Sequence, residues 1–199
     1  DGDTLFQIGS ISKTFAAALA ARLAQHGRLD LDAPLRDYLP SFQVSDGDAT
    51  ERATPRILFS HTAGWLGDYF ETENPSLASV VERMRWLPQT YPLGKLWSYN
   101  NASFYAAGRL IEVVSGKPYA QLAKETLLDP LGMTNTGFRL TDLLTAKVAM
   151  GFSAVYDGEG TPQPGRWYGI GAVDPVGGLS STANDILRSK ADFIIADDA

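Results

Sequence analysis

The sequence predicts an α+β fold that is mostly helical with few strands. Two observations carry this expectation. Helical segments with recognisable start and stop residues follow one another along the 199-residue chain, whereas one stretch, 148–156, reads as a strand. The length suits a single domain over 1–199 that can bury a sizeable core.

The first helix is expected over 12–26. It is dense in alanine, which favours helix and permits close packing, and Gly27 supplies a left-handed stop. Residues 30–40 read as an irregular crossing segment. Thr54 and Pro55 open a short helix, the first as cap and the second at the first helical position. Ser76 caps another to about residue 86, and 88–97 reads as loop. Helices are expected over 102–114 and 118–128, divided by Ser115 and Gly116. After the strand candidate at 148–156, Asp157 and Gly158 mark a turn. The glycine- and proline-rich stretch 162–178 reads as loop, and Thr182 caps a last helix to about residue 195.

Composition narrows the function classes. The net charge of −6 argues against a nucleic-acid partner, which needs a basic face. No apolar run approaches the length of a membrane span. Residue 1 opens an acidic, polar stretch, so no signal peptide is expected within this chain, and nothing selects periplasm over cytoplasm. With no cysteine there is no disulfide or thiolate metal site. The two histidines, His26 and His61, stand far apart in unlike contexts, so no metal and no cofactor is expected. The oligomeric state is not legible.

The most informative segment is Ser10-Ile11-Ser12-Lys13, at the start of the first expected helix. Positions i and i+3 share a helix face, so the Lys13 amine can reach the Ser10 hydroxyl. Serine is a weak nucleophile until a nearby base takes its proton. A helix start also offers free N–H groups and a dipole that favour developing negative charge. Roughly 0.4 Ser-x-x-Lys matches are expected by chance in such a chain, and roughly 0.2 matches to the second element, Tyr99-Asn100-Asn101. Each occurs once, and each opens a helical pattern.

Together with their flanks these motifs resemble the serine β-lactamase and penicillin-binding-protein superfamily. The closest likeness is to its class C branch of β-lactamases, family VIII esterases and D-amino-acid peptidases. The resemblance runs through the segment 6–15 around Ser10 and Lys13, then 27–34 and Tyr38-Leu39-Pro40. It continues through Leu58-Phe59-Ser60-His61-Thr62-Ala63-Gly64, 97–101, 115–119, 129–134 and 177–182, in family order. It therefore covers nearly the whole chain.

The resemblance implies a helical cluster beside an antiparallel sheet, of which this chain holds mostly the helical part. The family's third motif, Lys-Thr-Gly or His-x-Gly, does not occur here. The chain is accordingly expected to be a fragment lacking the N-terminal strands and the C-terminal strands with that motif. Helices deprived of the sheet would then expose apolar faces, with Phe15 and Leu19 the candidates, and the isolated chain would self-associate.

The resemblance also assigns roles. Ser10 is the expected nucleophile, its own N–H serving as one oxyanion donor. Lys13 lies beside it, with a pKa lowered by burial and neighbouring charge, and Tyr99 is a general base or proton relay. Which of the two takes the proton stays open. Asn101 is expected to bond Lys13 or a substrate amide, or to cap the helix that follows. The bland alternatives are a plain cap at Ser10 or Ser12, an exposed Lys13 and a half-buried Tyr99.

His61 does not read as a triad base; its ring is expected to satisfy backbone groups in a tight turn. Trp65, Asp68, Tyr69, Trp97, Trp167 and Tyr168 either line a cleft or pack. Gly177 and Gly178 read as a tight backbone path rather than a phosphate loop. The resemblance implies a small-molecule acyl substrate as partner, and acyl transfer from a carboxylic ester, a β-lactam or a D-amino-acid peptide to water through an acyl-enzyme. The alternative is a non-catalytic, degenerate or truncated relative used for binding or assembly. An α/β-hydrolase is set aside because Gly-x-Ser-x-Gly is absent.

Overall fold

A computed structural model describes residues 1–71, 76–139, 146–152, 160–162 and 171–192. In chain order the elements are β1 (Leu5–Gln7), α1 (Ser12–Gln25), α2 (Leu35–Tyr38), α3 (Gly47–Arg52), α4 (Pro55–Phe59), α5 (Leu77–Arg83), α6 (Asn101–Ser115), α7 (Tyr119–Ala123), β2 (Ser180–Thr182) and α8 (Ala183–Asp192). Short 3₁₀ turns at Gly9–Ile11 and Met84–Trp86 lead into α1 and out of α5, and a π-type turn at Lys124–Leu128 continues α7.

Helix α6 is the hub. Nine of its residues, from Ala102 to Ile111, are buried on every side, the pattern of a helix enclosed by others. It packs against α1, α2, α4, α5 and α7. Alanines at 16 and 20 on α1 and at 102, 106 and 107 on α6 keep both helices slim where the core is densest. At Gly108 a Cβ would stand 2.4 Å from the Pro175 ring, so only glycine admits the loop that crosses there.

Local signals place many of the boundaries. Thr54 caps α4 through Ile57 N–H with Pro55 at the first position, and Ser76 caps α5 through Ser79 N–H. Gly27 has φ +66° just past α1, the conformation a helix stop needs. The Thr182 hydroxyl accepts from Asp185 N–H at 3.2 Å and starts α8. The expected continuation of that helix past 192 and the turn at 157–158 lie outside the described residues.

Several expectations are corrected. A short helix, α2, forms inside the segment read as irregular and ends where Leu39 meets Pro40, since the residue before proline is pushed to extended backbone. Helix α3, capped by the Asp46 carboxylate accepting from Ala49 N–H at 2.8 Å, was not foreseen. The described part of 148–156 forms isolated bridges, Leu5 with Val148 and Phe152 with Pro162, rather than a strand. The strands among the described residues are three residues long. β1 and β2 pair antiparallel, Leu5 opposite Thr182 and Gln7 opposite Ser180, and Gly137 bridges the far side of Ser180.

Phe15 and Leu19 are not exposed: each is 1% accessible, within a core that also holds Leu58, Tyr105, Leu110 and Ile111. Among the described residues, α6 and α7 pack on the helix that carries them. The large apolar side chains that do face solvent include Phe6, Trp86, Trp97 and Leu187.

Candidate active site

The site forms where the start of α1 meets the start of α6. Ser10 sits in the 3₁₀ turn that runs straight into α1. Ile8 N–H donates to Leu179 O at 3.0 Å, tying this turn to the entry of β2. The Ser12 hydroxyl completes the tie, donating to Gly9 O at 2.7 Å and accepting from Leu179 N–H at 3.0 Å. Ser12 thus fastens two chain segments, and neither it nor Ser10 caps α1, whose cap position is Ile11 with no side-chain hydrogen bond.

Lys13 lies one helical turn from Ser10 and is 6% exposed. Its Nζ donates to Ser10 Oγ at 3.1 Å and to the Val176 carbonyl at 2.7 Å. The same nitrogen lies 5.0 Å from the Tyr99 ring centre and 5.5 Å from that of Phe104, within cation–π range. Burial lowers the Lys13 pKa from its ordinary value, while the Tyr99 hydrogen bond and charge oppose the shift. This is the buried lysine expected, not the exposed first-turn lysine of the bland alternative.

Tyr99 arrives from the loop before α6. Its hydroxyl donates to Ser10 Oγ at 2.6 Å. One serine oxygen therefore receives both the phenol and the amine. The phenol is partly open to solvent, as is Ser10, so a substrate carbonyl has an approach.

Asn100, not Asn101, caps α6. Its Oδ1 accepts from Ser103 N–H at 2.8 Å and from the Ser103 hydroxyl at 3.0 Å, and its Nδ2 donates to Trp65 O at 2.8 Å. Asn101 is the first helical residue. Its backbone N–H donates to Gly67 O at 2.9 Å, and its side chain makes no hydrogen bond to Lys13. The correction has a physical reason: a cap needs extended backbone, and Asn100 has it (φ −141°, ψ 106°), whereas Asn101 is already helical. Gly67 is held against this turn so closely that a Cβ would stand 2.3 Å from Tyr99 O.

His61 behaves as expected. Its Nδ1 accepts from Asn100 N–H at 3.0 Å, and none of its hydrogen bonds reaches Ser10. The ring stacks on Tyr99, centres 4.7 Å apart, with Trp97 and Phe104 against its other sides. Of the aromatic cleft candidates, Trp65 is buried against Phe42, Tyr69 is half-buried, and Trp97 is 69% exposed. Asp68 is exposed, and Trp167 and Tyr168 lie outside the described residues. At Gly178 a Cβ would stand 2.9 Å from Asp174 Cα, which bears out the tight path and explains the second glycine of the pair.

Sequence reasoning missed the Val176 carbonyl, because a backbone acceptor leaves no trace in residue type. It also missed Asn100, although Asn-x-x-Ser ahead of an apolar helical run was there to be read as a cap. Among the described residues no group of three or more His, Asp or Glu side chains is gathered to hold a metal ion.

Comparison with known proteins shows the family and the fold. The family model described as Beta-lactamase matches residues 1–189. Penicillin-binding protein 4 of Amycolatopsis lactamdurans is 30% identical over 94% of this chain and 50% of its own length. Esterase EstB of Burkholderia gladioli is 30% identical over 68% of this chain and 39% of its own. The crystal structure of a class C beta lactamase from Rhodobacter sphaeroides superposes with a TM-score of 0.79 at 30% identity, covering 100% of this chain and 54% of that one. The chain thus spans about half the length, or less, of the relatives it matches.

Proposed function

The chain belongs to the Beta-lactamase family, and from that premise we propose that its Ser10 is the nucleophile of a class C-like serine hydrolase. The observation that carries this reading is the convergence on Ser10 Oγ: the Tyr99 hydroxyl at 2.6 Å and the Lys13 amine at 3.1 Å. A helix start needs no such pair, and a buried lysine without a carboxylate partner is a costly thing to fold.

The step runs as follows. Ser10 gives its proton to the Lys13–Tyr99 pair as Oγ bonds to the substrate carbonyl carbon. The carbonyl electrons move onto oxygen, which the Ser10 N–H helps to hold. The bond to the leaving group then breaks, and the pair returns the proton to that group. Water repeats the sequence on the acyl-enzyme and frees Ser10. Lys13 contributes in two ways. Burial lowers its pKa, which raises the share of neutral amine able to accept a proton, and when charged it stabilises anionic oxygen nearby. The Val176 carbonyl accepts one ammonium N–H and so aims the nitrogen at Ser10. Carboxylic esters, β-lactams and D-amino-acid peptides all fit this chemistry as acyl donors. Asn101, at the first position of α6, is proposed to meet the substrate amide.

The test is intact-mass spectrometry after incubation with a p-nitrophenyl ester and, separately, with a penicillin, with Ser10→Ala as control. A mass gain equal to the acyl group, lost in the variant, supports the proposal, and the preferred donor names the substrate class. No adduct on a folded chain overturns it in favour of a binding or assembly role.

A further inference from the structure

His61 takes no part in the steps above, yet it holds the segment that delivers Tyr99. It is the non-glycine residue with positive φ among the described residues, at +58°, a conformation that L-residues rarely adopt without cause. Two of its groups then face one stretch of chain. Its carbonyl accepts from Ser98 N–H at 2.8 Å, and its Nδ1 accepts from Asn100 N–H at 3.0 Å. In extended backbone alternate residues point to the same side, so Ser98 and Asn100 can address one neighbour while Tyr99 between them is gripped. The imidazole face also lies on the Tyr99 ring, 4.7 Å between centres and 28° between planes.

We propose that His61 is a positioning residue for Tyr99, clamping residues 98–100 so that the phenol meets Ser10, and that the clamp holds only while the imidazole is neutral. The kinetic consequence rests on the reading of Ser10 and Tyr99 as the acylating pair. The chemistry of the switch is simple. An amide N–H can only donate, so Nδ1 must accept, and the ring proton sits on Nε2. Imidazolium has two N–H donors and no acceptor. Protonation sets a donor against the Asn100 N–H, and that bond is lost.

The charged group facing the ring is Lys13, on α1; Tyr99, Trp97 and Phe104 supply its other neighbours. Burial, aided by the Lys13 charge, lowers the imidazole pKa from its ordinary value. The clamp therefore stays closed at neutral pH and opens as pH falls through that lowered value.

The experiment has two readouts on the whole chain. The first is the ¹⁵N–¹H resonance of Asn100, followed against pH and for hydrogen exchange in wild type, His61→Asn and His61→Phe. Asparagine tolerates positive φ and keeps an acceptor that does not titrate; phenylalanine keeps a ring and has no acceptor. The expected result is an Asn100 titration on the acid side of the ordinary imidazole range in wild type. His61→Asn loses the titration and keeps exchange protection, and His61→Phe loses protection at least about tenfold. The second readout is the rate of Ser10 acylation by a p-nitrophenyl ester. An acid limb is expected in wild type and not in His61→Asn, with a fall on the order of a hundredfold in His61→Phe at neutral pH.

An Asn100 amide that does not titrate in wild type overturns the clamp, and that measurement does not depend on any variant folding. Identical acid limbs in wild type and His61→Asn overturn it too. A wild-type chain whose Asn100 titrates but whose Ser10 takes up no acyl group supports the clamp and overturns the acyl-enzyme reading.

Discussion

At the start of α6, Asn100 is fully buried, its side chain spends both polar ends on Ser103 and Trp65, and Gly67 presses against the turn from outside. At the start of α1, Ile11 stands at the cap position with helical backbone and no side-chain hydrogen bond, and a lysine is buried two residues further on. The two helix starts meet at the Tyr99–Ser10 hydrogen bond. The first is built for stability: Ser103 N–H goes to the Asn100 side chain and Asn101 N–H to the Gly67 carbonyl. The second has no side-chain cap, its first donors turning back to the carbonyls of the preceding 3₁₀ turn, and it accepts a buried amine. Local rules of helix design are obeyed at the start of α6 and broken at the start of α1, where the proposed nucleophile stands, and such breaks mark function more often than accident.

The largest test of this contrast is Lys13→Met, which keeps an unbranched apolar stem and removes the amine. Acylation of Ser10 should fall about 10²- to 10⁴-fold, while the melting temperature holds or rises because a buried charge is gone. An acylation rate within tenfold of wild type would break the comparison. Asn100→Ala attacks the other side. It removes the cap and leaves the Trp65 carbonyl and Ser103 groups without partners, at an expected cost of about 2–3 kcal/mol in denaturant unfolding. A loss under about 0.5 kcal/mol would show that the cap is incidental.

The loop that receives Lys13 offers a third test. Burial raises the Asp174 carboxyl pKa from 3.8 to about 7; the Gly171 N–H and Arg139 act against the shift, and Glu112 adds to it. A pKa raised on folding means stability present at low pH and lost as pH rises from the unfolded value through the folded one. Unfolding free energy should therefore decline between about pH 4 and pH 7. Asp174→Asn should flatten that slope by on the order of 1 kcal/mol per pH unit. An unchanged slope would remove Asp174 from the account. The smallest effect is expected for Ile11→Ser. Its φ of −58° is already helical, so a serine there has no extended backbone from which to cap, and stability should move by less than about 0.5 kcal/mol. A clear gain would mean that the start of α1 is merely an unoptimised cap.

Legibility followed range. The caps at Thr54 and Ser76, the stop at Gly27 and the Ser10–Lys13 face all depend on contacts within four residues, and each was readable from residue type. The strands Leu5–Gln7 and Ser180–Thr182 were not, because three residues carry no usable alternation and their partners lie at opposite ends of the chain. The expected exposure of Phe15 and Leu19 failed for the same reason, since what covers a helix face is decided by elements distant in sequence. The choice between Asn100 and Asn101 turned on one pair of backbone angles.

By itself the sequence determined the helical character of the chain, the order of its motifs and the chemical identity of the groups proposed to carry acyl transfer, since these depend on residue type and short spacing. Only the tertiary structure decided that Tyr99 reaches Ser10 across eighty-nine residues, that the Val176 carbonyl accepts a hydrogen bond from Lys13 Nζ, and that the His61 ring accepts from Asn100 N–H. The reason is physical. A side chain's reactivity is set by what it is buried against and which donors and acceptors close around it, and those neighbours are chosen by the packing of α1 on α6 rather than by their separation along the chain.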